Sequence, residues 1–411
     1  MPGNCDIIVV GGGIGGGALA TVLARAGRSV LVLEKSTVFR DHVRGEWMAP
    51  WGVIELKQLG LYDAVRAAGG HHVSRHWFCD DDVSPADAVA MEMDLSNLVP
   101  DVPGPLCIGH PKLCQLFIDL AAAAGATVLR GVTNVEIRSG EAPAVRYRHD
   151  GTEHDASCRL VVGADGRGSQ TRRQAGIPVH RDPTHHLFAG MLVDGAHGWP
   201  ADTQVIGSEN DVHFLAFPQG NGRVRLYLGY STDQARRLTG PRAPQIFLDA
   251  FRLHSVPGSE HLAAAQPAGP CNSYPNEDSW TDQPYRDGLV LIGDAAGSND
   301  PIIGQGLSIT MRDVRLVCDL LLGEPVWSAA LFEPYARERA ERMRRLRFSA
   351  SVVSTLNNEF GATARERRRL VRERQMQDPT LLLPLIAAFI GPDGVPAEVF
   401  DESTRQRLFA P

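Results

Sequence analysis

The sequence predicts an α/β fold: a parallel sheet flanked by helices, an inserted antiparallel sheet, and a C-terminal helical segment. Three observations carry this. Short apolar runs bounded by glycine recur at 6–10, 29–34, 159–163 and 288–293, and such runs read as buried parallel strands. The stretch of roughly 181–279 instead alternates apolar and polar residues, at Leu187 to Val193, His213 to Phe217 and Arg223 to Tyr230, with turn residues at 219–222, which is antiparallel sheet chemistry. From 331 onward the chain reads as helical and arginine-rich.

The elements follow in order. Residues 14–26 alternate small and apolar side chains, as a tightly packed helix does, and Gly27 is placed to end it. With the runs on either side, this makes a βαβ opening. Residues 110–126 predict a second helix, with Pro111 in its first turn and Gly125 at its end. Strand-like stretches follow at 127–137 and 143–149, and a helix starts near 304. The arginine runs at 337–347 and 365–374 read as solvated helix faces.

Composition narrows the function. The 411 residues make two or three structural units, and 41 basic against 48 acidic residues leave a net charge of −7. A nucleic-acid partner is therefore not expected, since such proteins usually carry a basic excess. No apolar run is long enough to span a membrane. The first strand begins within six residues of the N-terminus, so no signal peptide is expected. The seven cysteines include no Cys-x-x-Cys pair, which suggests neither a metal site nor a disulfide framework, and a reducing cytoplasm fits. Glycine, with 42 residues, is conspicuous, and its placement decides the reading.

Gly11-Gly12-Gly13-Ile14-Gly15-Gly16 fits Gly-x-Gly-x-x-Gly between a strand and a helix. In that context the first glycine permits the turn, the second lets backbone approach a pyrophosphate, and the third lets helix and strand pack closely. The helix N-terminus offers free N–H groups to phosphate. Glu34 lies 21 residues past Gly13, at the end of the second strand, where a carboxylate binds both ribose hydroxyls. A Rossmann-like dinucleotide site is expected, with NAD and FAD both open at this point. Residues 161–173 (Val-Val-Gly-Ala-Asp-Gly-Arg-Gly-Ser-Gln-Thr-Arg-Arg) and 290–306 (Val-Leu-Ile-Gly-Asp-Ala-Ala-Gly-Ser-Asn-Asp-Pro-Ile-Ile-Gly-Gln-Gly) each place an Asp directly after a buried strand. Ligands gather at those carboxyl ends.

With these three motifs in this order, the chain over roughly 5–345 resembles the FAD-dependent aromatic hydroxylases, single-component monooxygenases of the para-hydroxybenzoate hydroxylase type. The resemblance implies an FAD-binding domain at 1–75, 105–180 and 280–340, a substrate-binding antiparallel sheet at 76–104 and 181–279, and a helical region at 341–411. It implies that Gly11, Gly13, Ile14, Gly15, Gly16, Glu34 and Lys35 bind the adenosine diphosphate half of FAD. Asp165 and Gly166 would contact FAD and the incoming nicotinamide cofactor. Gly293 and Asp294 would hold the ribityl chain, with Gly304, Gln305, Gly306 and Leu307 at the flavin ring. Pro301 and Gly304 would flank the oxygen-reacting face, and Arg44 would sit beside FAD on a loop that lets the flavin swing. His110 stands where the family usually has an arginine, and Gly297 where it commonly has a histidine.

The activity implied is hydroxylation of a small aromatic or related secondary metabolite by O2, with NADH or NADPH as reductant, through a flavin hydroperoxide. A monomer or homodimer is expected. A phenolic substrate needs a base; His213 is the candidate, with Tyr230, His72 and His76 beside it, and Trp47, Trp51, Phe214 and Phe217 are candidates for an apolar pocket. Two rivals stay open, because Gly-Asp-Ala-Ala-Gly also occurs in flavin-dependent halogenases and in geranylgeranyl-reductase-like enzymes. A halogenase needs a lysine between flavin and substrate, and Lys35, Lys57 and Lys112 are poorly placed for that.

Overall fold

A computed structural model of the chain describes residues 4–43 and 45–410. Its first sheet runs Tyr285–Arg286, Leu289–Leu291, Thr152–Gly163, Asn4–Val10, Val30–Glu34, Thr127–Arg130. All joints from Leu289–Leu291 to Thr127–Arg130 are parallel. The glycine-bounded apolar runs thus become adjacent strands covered on both faces, and the loops after three of them gather at one edge. The helix Ile14–Arg25 ends as expected: Gly27 has φ +81°, its N–H donates to Ala24 O, and Arg28 N–H donates to Leu23 O.

Two elements differ from the sequence reading. The stretch 127–137 is two strands, Thr127–Arg130 and Thr133–Arg138, separated at Gly131, whose φ of +76° breaks the ladder. The run at 159–163 is only the end of a longer strand, Thr152–Gly163. Its polar first half pairs antiparallel with Ala144–His149 and alternates exposed and buried, while its last four residues are all buried between parallel neighbours. The polar half carries no apolar signal, so only the buried half is visible in sequence.

The second sheet is ordered Gln266–Pro267, His186–Asp194, Val224–Tyr230, Val212–Pro218, Thr203–Glu209, Arg75–Asp80, Met93–Asp94, with Asn272–Asn276 also paired to His186–Asp194. Side chains alternate across it. Phe214, Leu226, Leu228 and Tyr230 pack outward with Phe247 and Phe251, whereas Leu215, Phe217 and Tyr227 face the first domain. No described helix is long and apolar enough to cross a membrane.

The arginine runs correct the sequence reading. Arg339, Arg342 and Arg368 are 2%, 1% and 3% exposed, so these faces are not simply solvated. Arg339 and Arg342, on the helix Glu333–Asn357, donate to opposite oxygens of Asp313 at 3.0 and 2.7 Å. Arg368 donates to Asp80 at 2.7 Å and Asp81 at 3.0 Å. Burial alone would raise the Asp313 carboxyl, but Arg339 and Arg342 outweigh it and hold it below the ordinary carboxylate range. Removing one member of a buried pair strands the other, at a cost of about 3–5 kcal/mol. Asp313→Ala should lower stability by that amount in urea denaturation; a change under about 1 kcal/mol would contradict the buried-pair reading.

Candidate functional site

Where the two sheets meet, a cavity of about 400 Å³ opens, and the edge of parallel-strand ends forms its floor. Gly11 has φ +102°, and a Cβ there would lie 2.5 Å from Ala164 O, so the first and second loops touch through bare backbone. A Cβ on Gly16 would lie 1.9 Å from Gly11 O. Gly13, Gly166 and Gly306 behave differently: nothing lies within 4 Å of a Cβ on any of them, and all three line the cavity. They form a cradle in which backbone reaches a ligand directly. Gly13 precedes the free N–H groups of the helix Ile14–Arg25, and Gly306 opens the helix Gly306–Gly323. Two helix N-termini facing one cleft suit an anionic dinucleotide. The residues present therefore fit FAD.

The other expected cofactor residues divide into two groups. Ile14, Gly15, His110, Gly293, Asp294, Pro301, Gly304 and Leu307 line the cavity. Asp294 lies 3.5 Å from the Arg167 guanidinium. Glu34, Lys35, Asp165 and Gln305 do not line it. Glu34 accepts N–H bonds from Gly12 at 2.6 Å and Ser36 at 2.7 Å, which fixes its carboxylate against the loop. Asp165 accepts from Ser169 at 2.5 Å and from the Thr171 N–H and hydroxyl, each at 3.0 Å, and so shapes its own turn. Gln305 accepts from Trp51 Nε1 at 2.8 Å and donates to Ala388 O at 3.0 Å, tying the flavin-side loop to the C-terminal region. Arg44 lies outside the described residues.

The base candidates do not share one place. His213 is fully buried behind Phe188, does not line the cavity, and donates from Nδ1 to Gly207 O at 2.7 Å. Burial drives its pKa down to about 4. Tyr230 faces the outer layer and donates to Ser273. His72 is held between Gly104 O and the Tyr62 hydroxyl, away from the cavity. His76 does line it. Of the aromatic candidates, Trp47 and Phe217 line the cavity; Trp51 and Phe214 do not. Phe214 has the wrong parity on its strand, a consequence of two-residue alternation.

Three features were missed in the sequence. First, Val353, Leu385 and Phe389 line the chamber, so the C-terminal helices build part of its wall. Second, buried Glu46 accepts from Arg225 and from Gln219 Nε2 at 3.0 Å, while Arg225 also reaches Asp41 at 2.6 Å. Burial raises the Glu46 carboxyl even against Arg225. Third, Asp300 caps the Pro301–Ile303 turn by accepting the Ile302 N–H at 2.9 Å, and its own N–H donates to buried Asp278 at 2.9 Å. His186 Nε2 lies 3.7 Å away. The Asp-Pro dipeptide before Pro301 was the one available signal for this pair.

Among described residues, no three His, Cys, Asp or Glu side chains converge on a metal-sized site. A family model described as "FAD binding domain" matches residues 4–349. Squalene monooxygenase SE1 of Panax ginseng is 26% identical over 336 residues, covering 78% of this chain and 59% of that protein. The chain thus spans less than two thirds of that curated relative. Menaquinone reductase of Mycobacterium tuberculosis is 27% identical over 362 residues, covering 81% of each. In structure, p-nitrophenol 4-monooxygenase PnpA of Pseudomonas putida DLL-E4 superposes with a TM-score of 0.79 at 19% identity, covering 96% of this chain and 99% of the other, a likeness of fold.

Burial, with Asp278 adding to it, lifts the Asp300 carboxyl to about 7, whereas an unfolded Asp ionises near ~3.9. Between those values the folded state binds more protons than the unfolded state, so Asp300 contributes stability at low pH that is lost as pH rises. Against Asp300→Asn, the FAD-saturated protein should lose melting temperature from about pH 4 to about pH 7. Parallel profiles for the two proteins would refute this.

Proposed function

Because the chain belongs to the FAD binding domain family, we propose that it is an FAD-dependent monooxygenase that oxygenates a small aromatic or related, largely apolar substrate with NADH or NADPH as reductant. The observation that carries this reading is the continuity of the cavity. It joins the glycine cradle to a chamber walled by Trp47, Phe188, Phe217, Tyr227 and Phe389. The balance is one substrate, one O2, one NAD(P)H and one proton giving hydroxylated substrate, NAD(P)+ and water. Bound FAD supplies the redox chemistry, accepting hydride and activating O2.

The chain's own residues supply binding, shielding and electrostatics. Gly13, Ile14 and Gly15 present backbone to the pyrophosphate, with Gly11 and Gly16 keeping the turn closed, and Glu34 takes the ribose with Lys35 beside it. Gly293 and Asp294 hold the ribityl chain, with Asp165 and Gly166 shaping the loop beneath. The N-terminus of Gly306–Gly323 would stabilise negative charge on a bound flavin by ~0.3–2 kcal/mol. Gln305 and Leu307 fix that terminus, and Pro301 and Gly304, which line the cavity, would border the oxygen-reacting face of the bound cofactor. His110, which lines the cavity, would bond a FAD oxygen. The aromatic wall excludes water from the reacting atoms. A reducing cytoplasm suits the seven free cysteines, six of them buried.

Reduction of an apolar isoprenoid is the second reading, favoured by the 81% mutual coverage with menaquinone reductase. Halogenation has less support, since among described residues no lysine lines the chamber. The decisive measurement is NAD(P)H oxidation with O2 uptake. Monooxygenation predicts that a small aromatic accelerates both in step; substrate reduction that persists without O2 selects the reductase. Asp294→Ala should lose at least about tenfold in FAD affinity, the loss of one well-made polar contact. Unchanged flavin content after gel filtration would refute the Asp294 assignment.

A further inference from the structure

One polar group in the apolar half of the cavity has its hydrogen-bonding sense set by its neighbours. Trp47 Nε1 is a donor only, and it donates to Gln204 Oε1 at 2.8 Å. This orients the fully buried Gln204 amide, whose Nε2 must then be the donor to His76 Nδ1, 3.3 Å away. Desolvation drives the His76 pKa down to about 4, so the ring is neutral near pH 7. A neutral imidazole that accepts at Nδ1 carries its hydrogen on Nε2. His76 lines the cavity, its ring centroid is 6.1 Å from that of Phe389, and no described residue accepts from Nε2. Trp47, which starts the relay, packs against Gly304, where a Cβ would lie 2.9 Å from its ring.

Among the described residues, the rest of this half offers no lysine or arginine. Among described residues no lysine lines the cavity, and Arg167 lies at the flavin end beside Asp294. The nearby carboxylate, Glu46, is already held by Arg225 and Gln219. An anionic ligand there would find no lysine or arginine partner among the described residues, and burying an unpaired charge is strongly unfavourable.

We propose that His76 is the specificity-determining donor of this chamber, selecting through Nε2–H an uncharged, largely apolar ligand that presents a carbonyl-type acceptor, and disfavouring carboxylates. This rests on the reading above that the chamber receives the substrate. A ligand without the acceptor would leave the Nε2–H unpaired on desolvation, which is how a polar site rejects an apolar analogue.

The test uses the FAD-loaded protein with oxidised flavin and no reductant, titrated with 2-acetylnaphthalene, 2-ethylnaphthalene and 2-naphthoate and followed by flavin absorbance. The acetyl compound should bind roughly tenfold tighter than the ethyl compound, and the naphthoate weakest. In His76→Phe the acetyl-to-ethyl preference should fall to about one, with ethyl binding retained; in His76→Gln, which keeps a donor, the preference should survive. Equal binding of the acetyl and ethyl compounds to the unaltered protein, no binding of either, or tightest binding of the naphthoate would overturn the proposal. The unaltered protein alone decides these outcomes if a variant fails to retain FAD. No turnover is involved, so failure of O2-coupled oxidation would count against the monooxygenase reading and leave this binding result standing.

Discussion

The cofactor edge depends on one buried carboxylate. Asp313 accepts the Gly293 N–H at 2.8 Å and both Arg339 and Arg342. Arg339 spends its remaining donors on the carbonyls of Gly293, Ala296 and Gly297, at 2.9–3.1 Å. The tight turn that carries Asp294 leaves those carbonyls pointing inward, away from water, and an unpaired buried carbonyl is costly. One guanidinium satisfies three of them. The Asp294 loop therefore keeps its shape only while the helix Glu333–Asn357 is docked against Gly306–Gly323. Both helices also line the cavity, so its glycine-lined and aromatic halves share one structural dependency.

A second tie joins the segment after the second parallel strand to the antiparallel sheet. Arg225 sits on the antiparallel sheet, and its partners Asp41 and Glu46 lie on the segment after the second parallel strand. Val43, between those partners, is fully buried with φ +57°, an unfavourable conformation for a β-branched residue. The surrounding structure holds it there: its N–H donates to Asp41 Oδ1 at 2.7 Å, and its side chain fills the space above Gly190, where a Cβ would lie 2.3 Å from it. Strain that persists under such contacts is a common property of segments beside reactive centres.

The cofactor half was legible in sequence because its requirements are local. A glycine must stand where backbone meets ligand, and an apolar run must precede it, so 11–16, 163–168 and 293–306 announce themselves. The chamber was only partly legible. Two-residue alternation alone puts Phe217 on the face opposite Phe214, but which of those faces turns toward the cavity is a tertiary fact. The His76 relay joins residues 47, 76 and 204, and the arginine pairings join 313 to 339 and 80 to 368. No local pattern reports partners so far apart along the chain. A buried arginine on a charged helix looks in sequence like its solvated neighbours.

The position of Phe389 in the chamber wall has a consequence for biosynthesis. The cradle begins at Gly11, whereas the wall closes only when a helix some 370 residues later, Leu383–Ile390, is in place. At ~5–20 residues per second, translation separates these events by on the order of tens of seconds. Until that helix is made, the Phe389 ring that meets Trp47 edge-on, with centroids 6.0 Å apart, is missing and the aromatic wall stays open on that side.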